Sequence, residues 1–214
     1  MSAKQVVIVG AGGFGREVLD VLNAANEISN EWIFEGFVAD DPPPKDILNR
    51  INAQWLGAVD EFLTSNNPGN YVIGIGNPLM RRSIASRFDQ LGWNAATLIH
   101  PSAAIGADVE IAAGSVICSH VSITTNVRIG RHVHVSRNST IGHDCRVSDF
   151  VTINPIVAVS GDVKLHEGVT MGTHSSILQG LSVGAGATVG AGAVVVRDVA
   201  PNSTVVGIPA KPLG

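Results

Sequence analysis

From Ile105 onward every sixth residue is aliphatic: Ile105, Ile111, Ile117, Ile123, Ile129, Val135, Ile141, Val147, Ile153, Val159, Leu165, Met171, Ile177, Val183, Val189 and Val195. Val, Ile, Leu and Met make up 29% of the chain, so sixteen matches in one register have a chance probability of about 10⁻⁹. A second small or aliphatic residue follows four positions later, as at Val109, Val121, Val127, Val133, Val151, Val163 and Val169. A period of six fits neither the 3.6 of a helix nor the alternation of a free strand. It fits short strands that turn a corner every six residues, each stacking one aliphatic side chain inside. Three faces close one coil of 18 residues, so the stretch predicts about five coils of a parallel β-helix. No insertion breaks the register. Without a long internal loop, any site must use the outer surface, a neighbouring subunit or the segment before the repeat.

Composition divides at the same place. Nine of the ten aromatic residues precede residue 99 and only Phe150 follows it, whereas all seven histidines follow it. A bore filled by Val and Ile has no room for rings. The first segment holds 7 basic and 11 acidic residues, the second 7 and 7, so the formal charge of −4 belongs to the first. Two domains are expected, 1–99 and 100–214. A 15% charged content excludes a disordered chain, and the acidic balance argues against a nucleic-acid partner. The apolar run Val6–Val9 is too short to span a membrane. With no signal-peptide pattern and only Cys118 and Cys145 as thiols, a cytoplasmic chain with reduced cysteines is expected.

The first segment reads as a small α/β unit. Gln5–Val9 is a buried strand, and the helix after its glycine loop runs from Arg16 to about Ala25. Trp32–Val38 is a second strand, Tyr71–Ile75 a third, and Asn94–Ile99 a fourth. A helix from Pro78 to about Leu91 lies between the last two. This alternation predicts a parallel sheet. Gly10-Ala11-Gly12-Gly13-Phe14-Gly15 satisfies G-x-G-x-x-G, and Asp40 and Asp41 follow at the end of strand two. Backbone N–H groups at such a loop and helix start suit a phosphate. About 95 residues supply only one mononucleotide half, which disfavours NAD. Gly74-Ile75-Gly76-Asn77 ends strand three on the same sheet edge. Arg81 and Arg82 read as solvated helix charges, with a phosphate role as the alternative.

The hexapeptide repeat resembles the left-handed β-helix acyltransferases. With the glycine-rich α/β cap, the whole chain resembles a narrower group, nucleotide-amino-sugar acetyltransferases of the bacillosamine and perosamine type with sialic acid O-acetyltransferase-like relatives. The motifs that carry this are the Gly10–Gly15 loop, Gly36-Phe37-Val38-Ala39-Asp40-Asp41, Gly74–Asn77, Ile141-Gly142-His143-Asp144-Cys145 and Gly207-Ile208-Pro209-Ala210-Lys211. The resemblance implies His143 as general base and Asp144 as its orienting acid. It implies acetyl-CoA contacts at Thr152, Thr173, Ala191 and Lys211, with Thr152 standing where relatives often carry an imidazole. Nucleotide-sugar contacts are implied at Gly12, Gly13, Phe14, Ala39, Asp40 and Gly76. Relatives often carry an acid in place of Ala39, which would leave a base contact there to the backbone.

The resemblance implies acetyl transfer to the 4-amino group of a UDP- or GDP-linked 4-amino-4,6-dideoxy sugar for bacterial surface glycan synthesis, in a homotrimer. An imidazole near neutral pH suits removal of the nucleophile's proton. Direct attack is preferred, because Cys145 occupies an inward repeat position. O-acetylation of a sialic-acid-type sugar and a non-catalytic nucleotide-binding scaffold stay open. His132 and His134 point the same way on a strand, but no third ligand follows at a metal-binding spacing, so no metal is expected. His120, His166 and His174 carry no assigned role.

Overall fold

The computed structural model describes residues 3–213 and divides into two compact units, Met1–Leu98 and Ile99–Gly214. In the first, β1 (Lys4–Val9), α1 (Gly13–Ser29), β2 (Trp32–Val38), α2 (Lys45–Arg50), α3 (Val59–Ser65), β3 (Asn70–Ile73), α4 (Pro78–Gln90) and β4 (Asn94–Ala95) follow one another. The four strands form a parallel sheet in the order β2-β1-β3-β4. Val6–Val9 on β1 and Tyr71–Ile73 on β3 are fully buried, as central strands covered on both faces require. Helix α1 packs through Val18, Leu19, Val21 and Leu22, and Tyr71, Phe88 and Trp93 form an aromatic cluster between α4 and the sheet end.

Several boundaries differ from the sequence expectation. Helix α1 begins three residues earlier and continues to Ser29, where Asn30 adopts the left-handed conformation and donates its N–H to Asn26. The expected fourth strand is two pieces, Asn94–Ala95 and Leu98–Ile99. Helices α2 and α3, of six and seven residues, are too short to show a periodic stripe.

In the second unit, two- and three-residue parallel strands stack in three sheets, with partners 18 residues apart, such as His134 with Thr152 and Thr140 with Ala158. This is a left-handed β-helix of about six coils; the sixteen repeats span somewhat more than five, and Thr204–Val206 and the antiparallel Lys211–Pro212 extend the stack. The sixfold positions from Ile117 to Val195 line the bore and are at most 3% exposed. Ile105, on the first coil, lacks a coil beneath it and is 38% exposed.

Each corner contains a residue with positive φ, again at intervals of 18: Asp108, Asn126, Asp144, Asp162 and Gly180 on one edge, and His120, Asn138, Ile156, His174 and Gly192 on another. Gly114, His132, Phe150, Gly168 and Gly186 form the third. All but Phe150 and Ile156 are Asn, Asp, His or Gly, the residues that tolerate this conformation. Three of the seven histidines, His120, His132 and His174, thus have a backbone reason for their positions. His132 lies in a corner and only His134 on a strand, so the two do not share the strand face expected of them. The His132 ring instead stacks parallel on Phe150, one coil away.

Candidate functional site

His143 follows the bore residue Ile141 and sits at a corner of the β-helix, its backbone carbonyl accepting from Asp162 one coil on. Its side chain is 63% exposed, and Nδ1–H donates to Asp144 Oδ2 at 2.7 Å. The other Asp144 oxygen accepts from Asn126 Nδ2, and the Asp144 N–H donates to Thr125 O. These two side-chain bonds, that of His143 first, hold the Asp144 carboxyl below the usual carboxylate range, with a smaller contribution from the Arg146 charge. With Nδ1 committed to the carboxylate, Nε2 is the nitrogen left to exchange a proton.

Gly161 is a site residue that the sequence reading missed. A Cβ built there would lie 2.5 Å from His143 Nε2 and 2.6 Å from Cε1, so the imidazole occupies space that a side chain would fill. Gly161 lies 18 residues after His143; the repeat therefore held a signal for it, since neighbours across coils are always 18 apart. Cys145 points into the bore, donates Sγ–H to Ser160 O at 3.1 Å, and has its thiol pKa raised chiefly by burial. That thiol is not a nucleophile poised at the surface.

Of the residues implied for acetyl-CoA, Thr152 is 5% exposed, stacked between His134 and Thr170. Thr173 and Ala191 are exposed and one coil apart, and Lys211 is exposed on the last strand. Among the described residues, no group of three or more His, Cys, Asp or Glu side chains is placed to hold a metal ion.

In the α/β unit a cavity of about 460 Å³ opens at the carboxyl ends of β1 and β2, where open parallel sheets bind ligands. Gly12, Ala39 and Asp40 line it; Gly13, Phe14 and Gly76 do not. Arg16 does, a cation that the sequence does not single out. The glycines separate into two kinds. A Cβ at Gly15 would lie 1.9 Å from Gly10 O, and one at Gly74 would lie 2.5 Å from Gly15 Cα, so those two permit the strand–helix packing. At Gly12, Gly13 and Gly76 a Cβ would meet nothing within 4 Å, so nothing inside the fold demands glycine there.

The N-terminus of α1 has no side-chain cap and no acid in its first turn, whereas α4 is capped by Asn77, whose Oδ1 accepts from Leu79 and Met80. Helix α1 is the one left open to an anion. Asp40 already accepts from Val59 N–H at 2.9 Å. The Ala39 N–H is bound to Gly57 O, and its carbonyl accepts from Trp55 Nε1, so both Ala39 backbone groups already have partners in the fold. Arg81 departs most from expectation: it is fully buried, not solvated, and donates to Ile75 O and Gly76 O at 2.9 and 3.0 Å. Burial pulls its pKa down to about 9, still a cation at neutral pH. It braces the loop that ends β3.

A parallel α/β unit followed in one chain by a left-handed β-helix bearing an exposed His–Asp pair defines a class, an architecture this chain shares with solved acetyltransferases. Residues 5–88 match the PglD N-terminal domain family. Perosamine N-acetyltransferase PerB of Caulobacter crescentus, solved with CoA and GDP-perosamine, superposes with a TM-score of 0.88 at 26% identity, covering 100% of this chain and 99% of that one. A variant of that enzyme with a histidine replaced by asparagine has been solved with the same two ligands. The acetyltransferase domain of PglB from Neisseria gonorrhoeae, with acetyl coenzyme A, gives 0.88 at 29% identity over 99% of this chain and 100% of that one. Serine acetyltransferase of Escherichia coli is 45% identical over 51 residues. The chain spans about a quarter or less of the length of the curated relatives it matches. No helix among the described residues is long and apolar enough to cross a membrane.

Proposed function

We propose that the chain is an acetyl-CoA-dependent N-acetyltransferase acting on the 4-amino group of a nucleotide-linked 4-amino-4,6-dideoxy sugar, UDP- or GDP-linked, in bacterial surface glycan synthesis. The observation that carries this reading is an exposed imidazole whose Nδ1 is held by a carboxylate while Nε2 stays open. Full-length likeness to an enzyme captured with CoA and GDP-perosamine supports the substrate class.

The amine, once neutral, attacks the thioester carbonyl carbon; the C–N bond forms as the C–S bond breaks. His143 Nε2 takes the proton that the nitrogen must lose and returns it to the departing CoA sulfur. Asp144 stabilises the imidazolium formed between these steps. Direct attack is favoured because Cys145 is buried in the bore, with its thiol pKa raised by that burial. Thr152, Thr173, Ala191 and Lys211 are proposed to contact acetyl-CoA, and Gly12, Gly13, Phe14, Ala39, Asp40 and Gly76 the nucleotide sugar. The open α1 N-terminus and Arg16 would receive the diphosphate. The two units, divided near residue 99, are proposed as the sugar-binding and acetyl-transfer domains of a cytoplasmic homotrimer, with CoA between neighbouring β-helices.

The test is CoA thiol release from acetyl-CoA with UDP-, GDP- and dTDP-linked 4-amino-4,6-dideoxy sugars, in single turnover, for the wild type and His143→Ala. Transfer to one or more of these sugars that is lost in the variant supports the reading. Equal rates would sink the general-base role. Turnover of hydroxyl acceptors alone would assign O-acetylation.

A further inference from the structure

We propose that Asn126 is a positioning residue for the His143–Asp144 pair, fixing the carboxylate so that the imidazole presents Nε2 in a single tautomer; this rests on the general-base reading of His143. The corner column Asp108, Asn126, Asp144, Asp162 runs along one edge of the β-helix at 18-residue intervals, all four residues in the left-handed conformation. Three are acids. The one amide stands on the coil next to Asp144, and its Nδ2 donates to Asp144 Oδ1 while Oδ2 receives His143 Nδ1–H.

The need for a second anchor is physical. Asp144 is 47% exposed and carries only two side-chain torsions, so a single bond to His143 leaves its carboxylate free to rotate toward water. It also has a competitor nearby, the Arg146 guanidinium, whose charge already lowers the Asp144 pKa. Asn126 acts against both. Its amide occupies the oxygen that His143 does not use, and its backbone carbonyl accepts from Arg146 Nη1 at 2.9 Å, holding that guanidinium along the coil. An aspartate at 126 would share the backbone preference and the shape, but it would set a second carboxylate where a donor is needed. Like charges at that separation favour one proton shared between the two, which leaves Asp144 a weaker partner for His143. The general base would then have its partner weakened without any change in its own residue.

The two variants separate this role from a structural one. Asn126→Gly suits the positive φ of 54° at least as well as asparagine, so thermal stability should hold. Asn126→Asp keeps the size and the left-handed preference. In both, kcat should fall about tenfold with little change in KM for acetyl-CoA, the aspartate variant falling further. In an Asp144→Ala background, Asn126→Gly should produce no further loss, since its effect passes through that carboxylate.

A second readout needs no substrate. The ¹⁵N spectrum of the His143 imidazole, assigned by difference against His143→Gln, should show the Nδ1–H tautomer in the wild type and a mixture in Asn126→Gly. An unchanged tautomer in Asn126→Gly, or wild-type kcat in Asn126→Asp, would overturn the proposal. So would an equal loss in both Asp144 backgrounds. If His143→Ala leaves transfer intact while the tautomer result holds, the general-base reading fails and the positioning of the ring by Asn126 stands.

Discussion

Replacing Gly161 by alanine tests the catalytic geometry with one carbon. The new Cβ would lie 2.5 Å from His143 Nε2, 2.6 Å from Cε1 and 3.0 Å from Cδ2. Non-bonded carbon and nitrogen atoms sit near 3.5 Å at contact, so the ring must retreat by about 1 Å. Its far side is held by the 2.7 Å bond from Nδ1 to Asp144. A retreat of that size toward Asp144 would drive the 2.7 Å pair into overlap, so the ring must swing aside and give up the bond or its present position. A misplacement of about 1 Å in a general base costs roughly 10²-fold in rate.

The fold has little reason to object to this substitution. The atoms displaced belong to a side chain 63% exposed, and φ at Gly161 lies outside the left-handed region. Loss of glycine from the unfolded chain stabilises by about 0.4–1 kcal/mol where the backbone is compatible. Gly161→Ala should therefore lower kcat about a hundredfold with an unchanged or raised Tm, read by CoA thiol release and a thermal melt. Wild-type turnover would refute the placement of His143 as base. A collapse in Tm would refute the steric reading of the Gly161 position.

Four further outcomes are expected. Gly12→Ala, at φ −69° with open space around its Cβ, should keep Tm but abolish the thermal shift produced by a nucleoside diphosphate, whereas Gly15→Ala should fail to fold because its Cβ lands on Gly10 O. Cys145→Ser should retain acetyl transfer, and native Cys118 and Cys145, both buried, should resist alkylation until the chain is denatured; rapid native labelling of Cys145 would contradict its burial. Ile156, a β-branched residue at φ 62° and 49% exposed, carries left-handed strain; Ile156→Asn should stabilise by about 1 kcal/mol, roughly 2–4 °C in Tm. The depressed Asp144 pKa contributes stability above the ordinary carboxylate range, near pH 4, that is lost as pH falls through the lower native value. The stability difference between the wild type and Asp144→Ala should shrink on acidification across that window; a difference that grows would reverse the sign.

The two helices overlooked in the sequence, α2 and α3, hold six and seven residues, less than two turns of periodic pattern. Arg81 departs from expectation for a different reason. Charge defaults to solvent unless its acceptors are known, and those acceptors are the carbonyls of Ile75 and Gly76 in the loop after β3. Arg16 was overlooked beside a glycine motif that explained itself without a cation.

The sequence by itself determined the β-helix, because each bore position repeats one local environment sixteen times and a six-residue period has few other solutions. It also placed the α/β unit, its glycine loop and the His143–Asp144 pair, which are contiguous in the chain. Tertiary structure alone decided what touches that pair. Asn126 and Gly161 lie one coil to either side of it, 18 residues away, and become neighbours only when the coils close and stack. The corner conformations that put His120, His132 and His174 where they are belong to the same closure. Aliphatic spacing records the inside of a solenoid in the sequence, whereas its outer surface is made of contacts between coils.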